Sequence, residues 1–142
     1  MVPPAPPALV PAPAVDPAQE ASFSPLLLID DDAAVRHVAQ GMLERLGYQV
    51  LAAGDGSEAL ARHAAESRRI RLVLVDFSMP GMDGVEVLRE LRRRDPEVRV
   101  VLMSGDAGLG FEERFQPGEL AGFLPKPFSL SSMREALRAA VA

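Results

Sequence analysis

The sequence has no cysteine and no tryptophan, and it contains one tyrosine and one lysine. Without cysteine the chain has no disulfide framework, no thiolate metal site and no thiol nucleophile, which suits a reducing compartment. The formal net charge of -5 and the pI of about 5.0 argue against binding to a nucleic acid backbone. A composition of 48% hydrophobic and 25% charged residues over 142 positions is typical of one globular domain.

Signals for secretion or membrane insertion are missing as well. No lysine or arginine precedes Arg36, and prolines interrupt each apolar stretch near the N-terminus, so a signal peptide is not expected. No run reaches the roughly 18 apolar residues that a membrane-spanning helix needs. We therefore expect a cytoplasmic protein that binds neither membrane nor nucleic acid.

Proline and glycine divide the chain near Pro25. Eight of the 13 prolines lie in residues 1–25, and the first glycine is Gly41. The Pro-Ala repeats predict a disordered linker or tail over residues 1–25, because such a segment cannot bury enough apolar surface to fold. We expect one folded domain over residues 26–142.

From Leu26 onward, short apolar runs alternate with helical periods. The runs predict strands over 26–29, 48–52, 72–75, 98–103 and 122–124. Helices are predicted between the first two strands, over 56–68, between Gly84 and Leu91, over 109–115 and from Met133 to the C-terminus. Five strands alternating with five helices predict a doubly wound α/β fold, a five-stranded parallel sheet with helices on both faces.

The first predicted helix has a clear apolar stripe. Its spacing follows the pattern i, i+3, i+4, i+7, i+8, and its members are Val35, Val38, Ala39, Met42, Leu43 and Leu46. Gly47 is placed to end the helix.

Acidic residues follow two of the predicted strands. Asp30, Asp31 and Asp32 come directly after the first strand, and Asp76 follows the third. Asp32 is placed to cap the next helix, but one cap does not account for three acids. If the first and third strands are neighbours, Asp30, Asp31 and Asp76 converge at one edge of the sheet. Oxygen ligands without histidine or cysteine favour Mg²⁺ or Mn²⁺.

Two further polar residues end the fourth and fifth predicted strands. Ser104 follows the fourth, and Lys126, the one lysine of the chain, follows the fifth. Taken singly, Ser104 reads as a turn residue and Lys126 as a solvated surface charge. Together with the acids at the same edge of one sheet, they indicate a site.

The loop after Asp76 contains a tight turn. Pro80-Gly81 is a turn pair, and Asp83 can cap the helix that begins near Gly84. Because the chain bends away there, we expect the Asp76 carboxylate to be open to solvent and to a donor.

Four motifs carry a resemblance to a known family. They read LLLIDDD at 26–32, LVLVDFSMPGMDG at 72–84, MSG at 103–105 and LPKPF at 124–128. Each is weak alone, but in this order and spacing they closely resemble the receiver domain of bacterial two-component response regulators. The resemblance covers about residues 25–142 and implies a flavodoxin-like fold. It also implies a protein that catalyses its own phosphorylation and dephosphorylation, rather than a turnover enzyme.

The resemblance implies roles for the acids. Asp76 would accept a phosphoryl group from a histidine kinase or phosphotransfer protein. Asp31 would be the acid nearest a Mg²⁺ ion, and Asp30 would support the ion largely through water. Asp76 itself and the backbone carbonyl of Ser78 would be further ligands.

The resemblance also implies a switch. Ser104 would hydrogen-bond the phosphoryl group, and Lys126, followed by a cis peptide to Pro127, would contact one phosphoryl oxygen. Phe123 stands at the aromatic switch position, where tyrosine is common, so burial of its ring would carry the switching. Partners would then read the predicted helix over 109–115, the fifth strand and the last helix.

The two histidines fall inside predicted helices. We interpret His37 and His63 as helical surface residues rather than phosphodonors.

Three other functions fit this fold class. A phosphatase with an aspartate nucleophile would carry an Asp-x-Asp pair after the first strand, whereas this chain has consecutive acids there. A nucleotide-binding domain would have a glycine-rich loop at that point. A degenerate receiver would lack a chemical residue, and none is lacking. Two settings stay open: a stand-alone regulator, favoured by Met1, or the receiver of a hybrid sensor kinase, favoured by the MSG and GFLPKPF segments.

Overall fold

The computed structural model describes residues 25–66, 70–105, 115–116 and 118–141. Its strands are β1 Pro25–Ile29, β2 Gln49–Ala53, β3 Leu72–Asp76, β4 Arg99–Ser104 and β5 Gly122–Pro125. Its helices are α1 Ala33–Arg45, α2 Gly56–Ala65, α3 Gly84–Arg94 and α4 Leu130–Val141. Each strand lies within one or two residues of its predicted place.

The five strands form one parallel sheet in the order β2-β1-β3-β4-β5. β1 and β3 are therefore neighbours, as the convergence of the acids requires. Parallel strands need crossover connections, and helices supply them after β1, β2 and β3. The predicted fold class is confirmed.

Alternate residues of the central strands face opposite sides of the sheet. Leu27 and Ile29 pack with α2 and α3 in one apolar cluster. Leu26 and Leu28 pack with α1 and α4 in a second cluster. Because side chains alternate along a strand, one continuous apolar run supplies both clusters, and helices cover both faces as predicted.

The remaining differences lie at the ends of elements. Pro25 is buried as the first residue of β1, so the strand begins one residue before the predicted domain start. Helix α2 ends at Ala65 rather than at residue 68. The predicted linker over residues 1–24 and residues 109–114 of the predicted fourth helix lie outside the described residues. Phe115 is described and is not helical.

The apolar stripe of α1 is only partly buried. Ala39 and Leu43 are buried, whereas Val38 is 52% exposed. Val38 lines a surface groove together with Phe128. Among the described residues, every helix is too short or too polar to span a membrane.

Candidate functional site

The carboxyl ends of β1, β3, β4 and β5 meet at one edge of the sheet, called here the carboxyl edge. Ile29 pairs with Val75, so Asp30 lies beside Asp76. Ser104 ends β4, and Lys126 directly follows β5. The parallel register thus brings together residues that are far apart in sequence.

Three of the predicted site residues form a compact acidic cluster. One carboxylate oxygen from each of Asp30, Asp31 and Asp76 lies within 4.8 Å of the other two. Asp30 is fully buried and Asp76 is 5% exposed, whereas Asp31 is exposed. The cluster therefore has two buried members and one member at the surface, an arrangement open to a cation from solvent.

Lys126 joins the two buried acids. Its Nζ donates hydrogen bonds of 3.1 Å to Oδ2 of Asp30 and of 3.1 Å to Oδ1 of Asp76. The ammonium is itself mostly covered, with 22% of the side chain exposed. A single cation therefore bridges two carboxylates, and Lys126 is part of the site rather than a solvated surface charge. The Lys126–Pro127 peptide is cis, as the resemblance implied.

Burial and like charge set the protonation of Asp76. Burial raises the pKa of Asp76, and the neighbouring carboxylates of Asp30 and Asp31 add to the rise, while Lys126 opposes it. Burial alone would lower the pKa of Lys126, but its hydrogen bonds to Asp30 and Asp76 raise it above the usual value. Lys126 therefore stays charged, and its positive charge limits the rise in the pKa of Asp76.

The turn after β3 does not leave Asp76 open to solvent. Only 7% of its side chain is exposed, so that expectation is wrong in extent. Lys126 covers one oxygen, and Gly84 lets the start of α3 pack against the strand end. A Cβ on Gly84 would lie 2.6 Å from the Asp76 carbonyl oxygen and 2.9 Å from Cα of Phe77, so only glycine permits this contact.

The loop between Asp76 and α3 otherwise folds as predicted. Gly81 has a φ of 81°, a conformation that favours glycine. Asp83 caps α3 through a reciprocal pair of bonds with Glu86. Ser78 is exposed two residues after Asp76, and the role of its carbonyl stays a prediction.

The predicted switch residues lie close to the acids along the sheet. Ser104 is 3% exposed at the end of β4, and Asp76 pairs with Met103, its neighbour. Phe123 is partly buried and packs against the cluster on the α2 and α3 side. Both residues are placed as a switch would need, and the switch itself stays a prediction.

Arg36 is the site residue that the sequence did not reveal. Its Nη1 donates a 2.7 Å hydrogen bond to the backbone carbonyl of Asp30. A signal was present, because a cation in the first turn of a helix opposes the helix dipole, and this helix has no acid in that turn to offset it. Asp32 caps the same helix as predicted, accepting from the N–H groups of Ala34 and Val35.

The two histidines differ in their surroundings. His37 is exposed on α1, as predicted. His63 is 1% exposed, so its interpretation as a surface residue is wrong. The face of α2 that carries it packs against α3, and neither of its ring nitrogens has a hydrogen-bond partner. Its Nε2 lies 3.9 Å from Oδ2 of Asp95, too far for a hydrogen bond.

An apolar groove of about 440 Å³ adjoins the acidic cluster. It is lined by Ala34, Val35, Val38, Lys126, Pro127 and Phe128. The groove therefore runs from exposed α1 to the cation that contacts Asp76.

Comparisons with known proteins agree with this geometry. A model of the response regulator receiver domain matches residues 26–138. The chain is 32% identical over 114 residues to Sporulation initiation phosphotransferase F of Bacillus subtilis, covering 80% of this chain and 90% of that protein. It is 38% identical over 108 residues to the Sensor kinase CckA of Brucella abortus, covering 76% of this chain and 11% of the kinase.

Solved structures give the same result. A response regulator receiver domain protein of Clostridium thermocellum matches with a TM-score of 0.77 at 25% identity, covering 83% of this chain and 94% of that chain. A putative two-component system response regulator with a GGDEF domain matches with a TM-score of 0.77 at 28% identity, covering 87% of this chain and 51% of that chain. Similar units thus occur in proteins of different lengths.

Proposed function

The chain belongs to the response regulator receiver domain family, and we propose that Asp76 is the residue on which it accepts a phosphoryl group. A receiver domain is the phosphoacceptor unit of a two-component system. The observation that carries the assignment is the bridge from Lys126 to Asp76 and Asp30, beside the exposed acid Asp31. Asp76 lies at the centre of this group.

The chemistry follows from that position. A carboxylate oxygen of Asp76 attacks the phosphorus of a phosphohistidine in line. A P–O bond forms while the P–N bond of the donor breaks, and the bonding electron pair leaves with the imidazole. Lys126, already 3.1 Å from an Asp76 oxygen, is close enough to neutralise charge on a transferring oxygen.

The acidic cluster fits a hard divalent cation. Its donors are all carboxylate oxygens, and one ammonium bridges two of the three acids. We assign Asp30, Asp31, Asp76 and the backbone carbonyl of Ser78 to a Mg²⁺ site that also suits Mn²⁺. The bound ion would supply charge neutralisation on the phosphoryl oxygens. The surrounding residues orient the Asp76 carboxylate, and Lys126 offsets part of the negative charge of the cluster.

The signal passes through Ser104 and Phe123 in this proposal. A phosphoryl group on Asp76 attracts the hydroxyl of Ser104, which lies at the end of the adjoining strand. Movement of Ser104 toward it frees space that the ring of Phe123 occupies. Phe123 has no hydroxyl, so the change is one of ring burial. The downstream partner is a protein that reads this surface.

The phosphodonor is a histidine kinase or a phosphotransfer protein, and the apolar groove is where it docks. Val38, the one large hydrophobic residue exposed within the described ranges, lies in that groove with Phe128. An apolar surface beside the acceptor favours docking of a helix that carries the donor histidine. The similarity to a phosphotransferase and to part of a sensor kinase supports either a stand-alone regulator or a receiver within a hybrid kinase.

The acceptor assignment is tested by phosphorylation with a small phosphodonor and Mg²⁺. The wild-type chain is expected to gain a single acid-stable, base-labile phosphoryl group, as an acyl phosphate behaves. Asp76→Asn is expected to gain none while keeping the fold. Asp32→Asn is the matched control, because it removes an acid at the same edge while asparagine preserves the cap of α1.

Full labelling of Asp32→Asn together with none of Asp76→Asn supports the assignment. Equal labelling of Asp76→Asn and the wild type would contradict it. Steady turnover of a small phosphate ester would favour an Asp-nucleophile phosphatase instead.

A further inference from the structure

Arg36 holds the peptide that leads into Asp31. Its Nη1 lies 2.7 Å from the carbonyl oxygen of Asp30, and that carbonyl belongs to the peptide unit joining Asp30 to Asp31. A peptide is planar, so a hydrogen bond to its oxygen restrains the orientation of the whole unit. Arg36 therefore acts on the backbone of the acidic turn.

The position of Asp31 depends on that backbone. Its side chain is exposed and makes no hydrogen bond with any residue in the described parts of the chain. The turn is also restrained by bonds from the Asp30 N–H to Ala53 and from the Asp32 N–H to Asp30 Oδ1. Neither involves the carbonyl of Asp30. Arg36 thus supplies the restraint nearest to Asp31 on the carbonyl side of the turn.

Gly54 makes room for the guanidinium group. A Cβ on Gly54 would lie 3.3 Å from Nη1 and 3.8 Å from Cζ of Arg36. The Gly54 N–H donates to Oε1 of Glu58 on α2 at 2.9 Å, which holds the backbone of this glycine in place. The guanidinium is therefore placed between the turn after β1 and the turn after β2.

We propose that Arg36 is a positioning residue that sets the orientation of Asp31 for divalent cation binding, with Gly54 as the space that admits it. The inference rests on the proposed function of the acidic cluster. Arg36 acts through geometry, because its bond goes to a neutral carbonyl, while Lys126 is the cation bonded to the carboxylates. Restraints of this kind on metal ligands affect metal affinity.

The test measures Mg²⁺ binding to the full chain by calorimetry. Arg36→Gln is expected to weaken Mg²⁺ binding about three- to tenfold, the range for one lost hydrogen bond. Arg36→Lys retains one donor and is expected to recover part of the affinity. Arg45→Gln is the matched control, since Arg45 is an exposed arginine in the last turn of the same helix, α1, and it is expected to bind Mg²⁺ as the wild type does.

Phosphorylation kinetics separate positioning from a general loss of structure. In Arg36→Gln the Mg²⁺ concentration for half-maximal rate is expected to rise by the same factor as the dissociation constant. The rate at saturating Mg²⁺ is expected to stay near that of the wild type, because Asp76 and Lys126 are unchanged. A fall in the saturating rate with unchanged Mg²⁺ affinity would overturn the positioning role.

A second variant tests the same contact from another element. Gly54→Val adds bulk where the guanidinium lies. It is therefore expected to displace the side chain of Arg36 and to weaken Mg²⁺ binding, although residue 36 remains an arginine. The double variant with Arg36→Gln is expected to bind no more weakly than the worse single variant, because both changes remove one contact. Additive losses would overturn the proposal, as would wild-type affinity in all the variants. If the wild type itself bound no Mg²⁺, the proposed metal site would fail first.

Discussion

The two ends of the sheet differ in how far their charges are balanced by bonded partners. At the carboxyl edge, Asp30 and Asp76 share the ammonium of Lys126, and Asp31 has no bonded cation among the described residues. At the opposite end, called the amino edge, arginines are bound to backbone carbonyls. Arg92 donates to Glu119 at 2.7 Å.

Arg99, the first residue of β4, belongs to the same edge. It donates at 3.0 Å to the carbonyl of Ala140 near the end of α4, where a cation also favours the helix dipole. Cations at the amino edge are thus committed to the fold, whereas acids at the carboxyl edge exceed the cations bonded to them. The difference separates charge that holds elements together from the acidic charge that the proposed cation would balance.

Replacing one cation at each edge is expected to give the largest difference in phosphorylation rate. Lys126→Arg keeps the charge but places a planar, bulkier group beside two buried carboxylates. We expect the rate of phosphorylation by a small donor to fall about tenfold or more. Arg99→Lys makes the converse change at the amino edge and is expected to leave that rate unchanged. Equal rates in Lys126→Arg and the wild type would contradict the proposed role of Lys126 in phosphoryl transfer.

Divalent cations are expected to stabilise the carboxyl edge. Mg²⁺ at about a hundred times its dissociation constant adds roughly 2.7 kcal/mol to the free energy of unfolding, which thermal unfolding with and without the ion detects as a rise in Tm. Asp31→Asn is expected to reduce the rise, because it removes a ligand charge. Glu97→Gln at the amino edge is the control. A rise of the same size in Asp31→Asn and the wild type would contradict the assignment of this ligand.

His63 provides a smaller test on a buried titratable group outside the acidic cluster. Burial lowers its pKa from the ordinary value of 6.5, against an opposing effect of Asp95. Below pH 6.5 the unfolded chain takes up a proton that the folded chain resists, so the wild type loses stability as the pH falls.

His63→Leu removes that loss and two buried polar atoms without hydrogen-bond partners. We expect it to raise the free energy of unfolding by about 1 kcal/mol at neutral pH and by more at pH 5. Denaturant unfolding at both pH values measures the difference. A gain in stability that is no larger at pH 5 than at neutral pH would refute the explanation.

The smallest effect is expected from removing residues 1–24. Their proline content and lack of a helical or strand period predict that neither edge depends on them. Deletion is expected to leave Tm and phosphorylation nearly unchanged. A drop of several degrees in Tm would mean that this segment contributes to the fold.

The parallel sheet and the acidic cluster were predictable because both follow from local patterns, but the cluster was predicted on the condition that β1 and β3 are neighbours, which the observed strand order meets. Continuous apolar runs mark buried strands, and in a parallel sheet the residues after them share one edge. Asp30, Asp31, Asp76 and Lys126 were therefore placed together correctly. The acceptor, metal and switch roles assigned to individual residues remain predictions.

What the sequence did not reveal depends on contacts between elements. The burial of His63 results from the packing of α3 on α2, which no pattern within α2 records. The bond from Arg36 to Asp30, and the space that Gly54 leaves for it, depend on the packing of α1 against the turns after β1 and β2. Val38 has the right spacing for a core residue, yet it is exposed and lines the apolar groove.

Gly84 has a consequence for anyone who redesigns this scaffold. It has no side chain and would be left out of any set of site residues chosen by chemistry. Yet a methyl group there would meet two backbone atoms, one of them the carbonyl oxygen of Asp76, and neither can rotate away. Library design should therefore keep glycine at position 84 together with the acids, because the site tolerates mutation only where the absence of a Cβ at this position is preserved.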